Sequence, residues 1–403
     1  MRSSLVLLTL IALLPTRTFA QAPSAQPTAP SGQPVRVTIP SVTVTAQKEP
    51  ADVQSLPTSV TAVTADTIRD AGIGIVSDAA IFSPNTYFSE FTARKLSNAR
   101  FRGVGSSPAN PGVATYIDGV PQLNANSSSI DLLDIAQIEF VRGPQSALFG
   151  RNALGGLINV TSGRPSLSKW SGSASVPLGN YSAFDLRAAA SGPLSKTVAA
   201  GVALERSERD GFTQNDLTGH DLDFRSSFSG KAQLLWVPAS QWEARVIVTG
   251  ERARDGDYAL GDLAGLRQKP FHVGRDFEGH TNRDVVATTI HTRRQGQRWT
   301  LATTTGFVNW KTQDLTDLDY LPLPYVTRNN DEKDRQFTQE IRLASGIPVK
   351  VSDRAALRWQ SGVFFFTQNY DQDAVNTFAP LLVSHRGTRH RPSAGRCLRP
   401  CGQ

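Results

Sequence analysis

The residues that could do chemistry are scattered along this sequence rather than grouped. Only two of the six histidines share a segment with carboxylates, because His272 and His280 flank Asp276 and Glu278. That spacing matches no metal-binding motif, so solvated loop residues are the better interpretation. The sequence therefore predicts no metal site and no bound cofactor.

The serines and cysteines offer no better candidate for catalysis. Ser106, Ser107 and residues 127–129 lie in polar turns without the glycine-flanked elbow of a nucleophilic serine. Cys397 and Cys401 are the two cysteines, and no histidine follows at ligand spacing, so we assign the pair no role. The sequence predicts a protein that is not an enzyme.

Charge argues against nucleic acid as a partner. The chain has 403 residues, enough for two to three domains, and a formal net charge of +7. Two arginines in residues 1–20 and five in residues 384–403, where there are no acids, account for the whole excess. The neutral remainder has no broad basic face for a phosphate backbone.

The first residues predict export. Arg2, an apolar run over 5–14 and small residues around Ala20 are typical of a cleaved signal peptide over residues 1–20. The alternative is a buried N-terminal helix, which suits a core poorly at this position. Residues 21–41 are rich in Ala, Pro, Ser and Gln and predict a flexible linker.

Glycine-rich turns between residues 101 and 159 predict a small, tightly turned sheet. Three apolar strand candidates, 113–117, 137–141 and 156–160, alternate with those turns. The residues at the turns are Arg102, Gly103, Asp118, Gly119, Arg142, Gly143, Pro144, Gly150, Arg151, Asn152, Gly155 and Gly156.

Helical segments precede these strands. Residues 56–63 predict a strand, 64–72 a capped short helix ending at glycine, and 75–82 a second helix stopped before Pro84. We therefore expect an α+β domain over residues 51–165.

Four blocks in this region carry a family resemblance. They run FRG, YIDGV, IEFVRGP and FGRNALGGLIN. In that order they resemble the plug domain of TonB-dependent outer-membrane receptors, and the resemblance extends over residues 42 to about 378. It implies a receptor in the outer membrane of a Gram-negative bacterium for energised uptake of a scarce small molecule. That ligand is most often an iron chelate, a ferric siderophore.

A short strip before the plug suits partner binding. Val42, Thr43, Val44, Thr45 and Ala46 alternate apolar and hydroxyl side chains, have no neighbouring strand in sequence, and follow a flexible leader. Such a strip can add to the sheet edge of another protein. It looks like a TonB box, the segment that pairs with the TonB energy-coupling protein; the alternative is the first plug strand.

From residue 170 onward the pattern changes to long alternating runs. In 242–249, apolar side chains occupy one face, while Glu243, Arg245 and Thr249 occupy the other. The same alternation recurs at 184–188, 337–343 and 357–363. About nine candidates, many of ten to fifteen residues, predict antiparallel transmembrane β-barrel strands in contact with outer-membrane lipid over 170–378. A soluble β-sandwich, as in a secreted adhesin, is the structural alternative.

Connection lengths alternate as well. Short ones fall at 192–196, 238–241 and 295–297, and long polar ones at 253–282 and 313–334. Outer-membrane barrels pair short periplasmic turns with long outer loops in this way.

The predicted barrel is incomplete. The family resemblance implies 22 strands and a terminal Phe or Trp, whereas residues 384–403 form a basic tail that ends on Gln403. We expect a truncated fragment with an out-of-frame tail after Val383; the alternative is a genuine terminus of a smaller barrel. A fragment would not transport, or would be a periplasmic plug module that only binds the coupling protein.

Two sets of plug residues are candidates for a role in binding. Arg102, Arg142 and Arg151 sit beside glycine turns, where they would pair with acids of the barrel wall, bind anionic ligand groups or satisfy turn carbonyls. The residues that we expect to face the ligand are Tyr87, Phe88, Phe91 and Arg94.

Overall fold

The computed structural model describes residues 42–45, 47–89, 94, 97–105, 111–352 and 355–379, which belong to one unit starting at Val42. Several predictions fall outside these residues. They concern the signal peptide, the linker, Ala46, Phe91, Ser106, Ser107 and the basic tail with Cys397 and Cys401.

The first part of the described chain is an α+β domain, as predicted. Its elements are β1 Thr43–Val44, β2 Ala51–Asp52, β3 Ser59–Thr64, α1 Ala65–Asp70, α2 Val76–Ala79, β4 Thr86–Ser89, β5 Asn98–Phe101, β6 Val113–Ile117, β7 Val120–Gln122, β8 Ile135–Arg142, α3 Ser146–Phe149 and β9 Gly156–Ser162. Five strands form one sheet in the order β3-β8-β9-β6-β7, in which β6 runs parallel to β9. We call this domain the plug.

Alternating side chains give the plug sheet two apolar faces. Phe140 and Ile158 pack in a core with Ile68 and Val76 of the two helices. Their sequence neighbours point the opposite way, because successive side chains of a strand alternate between faces. Val141 and Leu157 therefore lie in a second core, which also contains Val44 of β1, Tyr116 and Phe149.

The predicted turn at Asp118 and Gly119 is a two-residue hairpin loop between β6 and β7. Both residues have positive φ, 47° and 74°. Two left-handed residues in succession define the tight hairpin turn whose twist matches that of the strands. Asp118 also accepts hydrogen bonds from the backbone N and Oγ of Ser162, at 2.8 and 2.7 Å. The turn is thus tied to the end of β9.

The second part of the described chain is dominated by long strands. Its elements are β10 Ser171–Ser175, β11 Phe184–Pro193, β12 Val198–Arg209, β13 Gln214–Asn215, β14 Arg225–Ala239, β15 Trp242–Gly256, α4 Leu263–Gln268, β16 His272–Val273, β17 His280–Gln295, β18 Trp299–Asp317, β19 Val326–Ser345, β20 Val349–Ser352, β21 Ala355–Leu357 and β22 Gln360–Phe378. Nine of these described strands form one antiparallel sheet, β10-β11-β12-β14-β15-β17-β18-β19-β22, which we call the wall. The order has β10 and β22 at its edges, so the described wall is an open part of a barrel.

The two faces of the wall differ in polarity. The exposed face carries large apolar side chains: Val202, Leu204, Leu234, Val248, Val286, Phe307, Ile341, Val363 and Phe365. The buried face is polar: Glu205, Ser227, Ser229, Lys231, Gln233, Arg245, Glu251, Arg283, Glu332, Gln336 and Thr338. A β-sandwich buries its apolar face, so that alternative is wrong, and the arrangement is that of a barrel with lipid outside and a polar interior.

Tryptophans mark one end of the wall. Five of the six lie at the end where turns 194–197, 240–241 and 296–298 join the strands: Trp170, Trp236, Trp242, Trp299 and Trp359. The Arg294 guanidinium lies over the Trp242 and Trp299 rings, 5.1 and 5.2 Å from their centres. Amphipathic aromatic rings at one level are typical of a membrane–water interface.

The described helices are short. None of them combines the length and the apolar character that a membrane-crossing helix requires.

Two sequence predictions about connections need correction. The long loop predicted at 313–334 spans only 318–325, because β18 extends to Asp317 and β19 already starts at Val326. The run 357–363 is not one strand, since Leu357 ends β21 and β22 starts at Gln360. Polar strand ends that extend beyond the lipid lose the apolar alternation, so the pattern cannot separate them from loops.

Gly156 offers a test of plug packing. It has a φ of +148°, and a Cβ built there would lie 2.2 Å from the Val141 carbonyl oxygen and 2.4 Å from the Phe101 ring. We expect Gly156→Ala to lower the free energy of unfolding of the plug by about 3 kcal/mol or more. Urea-dependent proteolysis of the full chain measures this.

The matched control is Gly150→Ala. Gly150 also has positive φ, +71°, but no atom within 4 Å of the added Cβ, so it should lose only about 1–2 kcal/mol. Equal losses in the two variants would mean that steric contact at Gly156 is not limiting.

Candidate functional site

A buried arginine joins the plug to the wall. Arg94 Nη1 lies 2.6 Å from Asp131 Oδ1 of the plug, and its Nε lies 2.9 Å from Asp255 Oδ2 on β15. All three side chains are about 5% exposed. The second oxygen of Asp131 accepts hydrogen bonds from the hydroxyls of Ser227 and Ser229 on β14, at 2.9 and 2.8 Å. Plug and wall therefore share one buried network.

The charges in this network stabilise each other. Burial works to raise the pKa of Asp131, but Arg94 and the two serine hydroxyls outweigh it and hold that pKa below its usual range. Burial likewise works to lower the pKa of Arg94, but Asp131 and Asp255 raise it. Both groups stay charged, because each supplies the counter-charge that the other lacks in a water-poor site.

A second wall arginine extends the contact. Arg283 on β17 pairs with Glu251 through Nε at 3.0 Å. It also donates to two plug carbonyls, those of Asn126 at 3.3 Å and Ser129 at 2.6 Å. Glu251 in turn accepts from the backbone N of Asp131 at 3.2 Å. Backbone groups of irregular plug segments thus find their partners on the wall, as buried polar groups must.

The predicted TonB box lies at the start of the part of the chain that the structure describes. Thr43 and Val44 form β1 and pair with β2, Thr43 is exposed and Val44 is fully buried. Thr45 donates its backbone N and its Oγ1 to one oxygen of Glu139, at 2.9 and 3.0 Å. Asn159 Nδ2 donates to the Thr45 hydroxyl at 2.8 Å. The described box residues are therefore held on the plug surface by a short strand and a carboxylate.

Glu139 is an unusual anchor. It lies on β8 with 1% of its surface exposed, and its Oε2 has no hydrogen-bond partner among the described residues. Burial raises its pKa, although hydrogen bonds from Thr45 oppose the shift. Releasing Thr45 would remove two of the donors that compensate this buried carboxylate.

The residues expected to face the ligand separate into different environments. Tyr87 on β4 is 63% exposed and stays a candidate. Phe88 is partly buried against the plug core and Arg94 is buried in the wall network, so these two side chains do not point into open solvent, and their role toward a ligand stays a prediction. Tyr87 and Phe88 are successive residues of β4, so their side chains point to opposite faces of the strand.

The three plug arginines also differ. Arg142 donates to Ser59, Thr61 and Ser83 hydroxyls and to the Pro84 carbonyl, all within the plug. Burial and the neighbouring Arg102 lower its pKa. These contacts favour a structural role for Arg142, in which it stabilises the turn.

The other two arginines are exposed. Arg102 has a φ of +50° in the turn before Gly103. Arg151 lies over the Phe366 ring of β22, 6.0 Å from its centre. Arg151 thus contacts the wall through the Phe366 ring, and its charge also acts on Asp334 of β19.

Two of the described histidines pair with carboxylates outside the wall strands. His272 Nδ1 lies 2.7 Å from Asp216 Oδ1, and His220 Nδ1 lies 3.1 Å from Glu278 Oε2. His280 begins β17. Within the described ranges, no group of His, Cys, Asp and Glu could hold a metal ion.

Sequence reasoning missed the partners of this site. Alternation placed Arg245 and its neighbours on a polar face, and the same pattern covers Glu251 and Arg283. It carried no information that Arg94 and Asp131, 37 residues apart in the plug, would meet Asp255. Lys48 and Glu49, which follow the predicted box and carry no pattern that indicates a partner, contact the wall as well.

Comparison with known proteins defines the class. Residues 52–157 match the family described as "TonB-dependent Receptor Plug Domain". With the plug seated on the polar face of an outer-membrane-type sheet, the chain has the fold of a TonB-dependent receptor over its plug and nine wall strands.

Individual relatives refine this assignment. The pesticin receptor of Yersinia pestis is 31% identical over 220 residues, which are 52% of this chain and 32% of that receptor. The ferrioxamine B receptor of Salmonella typhimurium is 30% identical over 27% of this chain and 16% of its own. The vitamin B12 transporter of Vibrio cholerae is 24% identical over 210 residues, which are 51% of this chain and 32% of that transporter. The chain thus spans about a third or less of the length of these curated relatives.

Solved structures share the fold. The ferric yersiniabactin uptake receptor of Yersinia pestis superimposes with a TM-score of 0.71 at 22% identity, covering 80% of this chain and 50% of that one. The ferric-catecholate import receptor of E. coli K12 gives 0.66 at 16%, covering 88% and 54%.

The Arg94 network predicts how firmly the plug is held. Arg94→Met would leave Asp131 and Asp255 buried without their cation, so we expect the free energy of plug release to fall by about 3–5 kcal/mol. Protease protection of the plug as a function of urea measures it. Arg69→Met is the control, because Arg69 forms exposed, solvent-screened pairs with Asp66 and Asp70, and its loss should leave the protease protection unchanged. A loss as small as the control's would show that the network does not hold the plug.

Proposed function

We propose that this protein is part of a receptor that takes up a ferric siderophore across the outer membrane of a Gram-negative bacterium, with energy supplied by TonB. Both solved structures compared above are named as uptake or import receptors for ferric compounds, yersiniabactin and catecholate. Two of the three curated relatives are named pesticin receptor and ferrioxamine B receptor. The work of such a protein is binding and gating rather than covalent chemistry.

One observation carries this proposal. The plug occupies the polar face of the wall, and the contact depends on buried charges such as Arg94, Asp131 and Asp255 rather than on apolar packing alone. A polar interface of this kind can be reorganised by force or ligand at lower cost than a dry apolar core, since water can replace its hydrogen bonds. It therefore supports a gate better than a permanent structural core.

We further propose that residues 42–46 are the TonB box and that the chain is exported through a signal peptide at residues 1–20. Thr43 and Val44 form one strand of a two-stranded sheet with β2, and Thr43 is exposed. A strand of the coupling protein could take the place of β2 in this pairing. Strand addition gives affinity through the backbone and specificity through alternate side chains.

An uptake assay tests which ligand the protein carries. The protein would be produced in a Gram-negative strain without its own siderophore receptors, with radioactive iron supplied as yersiniabactin, ferrioxamine B or catecholate chelates. We expect accumulation of one chelate that disappears in a strain without the coupling protein. Accumulation of vitamin B12 instead would change the ligand class. No accumulation of any ligand would contradict transport by this chain and leave the non-transporting fragment, or the plug module that only binds the coupling protein.

Two substitutions of Val44 test whether residues 42–46 are the TonB box. Val44→Pro removes the backbone N–H that a strand partner needs, so affinity for the purified periplasmic domain of the coupling protein should fall on the order of tenfold or more. Val44→Ile retains the N–H and the branched side chain and should bind like the unmodified chain. Calorimetry on the full chain in detergent gives both values, and equal affinity of the two variants would refute the assignment of the box.

A further inference from the structure

The two residues that end the coupling segment, residues 42–49, both form ion pairs with the wall. Lys48 Nζ lies 2.8 Å from both carboxylate oxygens of Glu340 on β19. Glu49 pairs with two arginines, Arg342 of β19 at 3.0 Å and Arg293 of β17 at 3.4 Å. The two contacts with β19 link residues 292 and 293 positions apart, and the contact with Arg293 links residues 244 positions apart.

The wall presents a charge pattern that matches this dipeptide. Glu340 and Arg342 are alternate residues of β19 and so share its inner face. Arg293 and Arg342 both lie in register with Ala302 of β18, whose small side chain separates the two arginines. A shift of the coupling segment that exchanged the two contacts would bring Lys48 to the arginines and Glu49 to Glu340. Like charges would then face each other, so the pattern specifies one position.

The Lys48–Glu340 pair is more sheltered than a typical surface pair, whereas Glu49 and Arg293 are 31% and 38% exposed. The side chains of Lys48, Glu340 and Arg342 are 14%, 13% and 17% exposed. Burial lowers the pKa of Lys48, although Glu340 opposes the shift. Lys48 also lies over the Phe149 ring of the plug, 5.1 Å from its centre, so one ammonium contacts plug and wall together.

The ion pairs are mechanically connected to the box. Lys48 donates its backbone N to the Thr45 carbonyl at 2.7 Å, closing a turn. Thr45 is the residue held by Glu139. The position of Lys48 therefore constrains the box, which lies three residues away.

We propose that Lys48 and Glu49, with Glu340, Arg342 and Arg293, form an ionic latch that holds the coupling segment against the wall and limits access of the coupling protein to the box. The inference rests on the proposed function, because the partner it regulates is the TonB protein. The coupling protein binds the open form, so its apparent affinity is reduced by the fraction of molecules in which the latch is open.

Wall variants test the latch without changing the segment that the partner binds. Glu340→Gln and Arg342→Gln each remove one charge, so we expect the periplasmic domain of the coupling protein to bind roughly five- to tenfold more tightly. Lys333→Gln is the matched control. Lys333 also lies on β19, in an exposed pair with Asp371, and its loss should leave the affinity unchanged.

A second readout does not depend on the coupling protein. Val44→Cys, in a chain with Cys397 and Cys401 replaced by serine, places a thiol at a fully buried position of the box. Its labelling by a maleimide should be several-fold faster with Glu340→Gln or Arg342→Gln than with Lys333→Gln.

Charge exchange separates the latch from a general loss of stability. Lys48→Glu should speed labelling and so should Glu340→Lys, while the double variant should restore slow labelling because the pair is rebuilt with opposite signs. Unchanged labelling in the single variants, or no restoration in the double variant, would overturn the latch. If labelling responds as expected while no variant binds the coupling protein, the latch stands and the proposed partner is wrong. If the partner binds every variant equally and labelling is constant, the proposed function stands and the latch is wrong.

Discussion

The ion pairs of Arg94 with Asp131 and Asp255 are the contact on which the rest of this structure depends. The wall must keep an apolar face toward lipid, so its strands place their polar side chains on the other face. Those polar groups are buried once the plug covers them, and each then needs a partner. The plug meets this requirement with charged side chains and with the backbone of its irregular segments. Its shape therefore follows the donors and acceptors of the wall.

The need to pair buried polar groups also explains why the plug has an apolar centre and a polar outer layer. A domain with two apolar faces on its own sheet, containing Phe140 and Val141 on opposite sides, could fold without the wall. Its outer layer is different, because residues such as Asn126, Ser129 and Asp131 are buried and form hydrogen bonds with wall side chains. The plug thus combines a stable centre with a periphery that can exchange partners. Such a division allows one part of a domain to move while the remainder stays folded.

The coupling segment combines contacts to the plug and to the wall. Thr45 is held by the buried carboxylate of Glu139, and Lys48 and Glu49 are held by the wall. Force on this segment would act on these hydrogen bonds and ion pairs and on Val44, which belongs to the second apolar core. A pull on the proposed box would therefore act on both the plug and the wall.

Much of the local structure follows from the sequence alone, because it depends on short-range rules. The two-residue turn at Asp118 and Gly119, the strand 113–117 and the alternation in β15 are determined by residues next to each other. The meeting of Arg94 with Asp255, 161 positions away, and of Lys48 with Glu340 was decided only by the tertiary structure. Alternation states which face a charge occupies but not which charge lies opposite. That choice depends on how the plug is placed against the wall, and the energy of buried charges selects the placement in which each finds its counterpart.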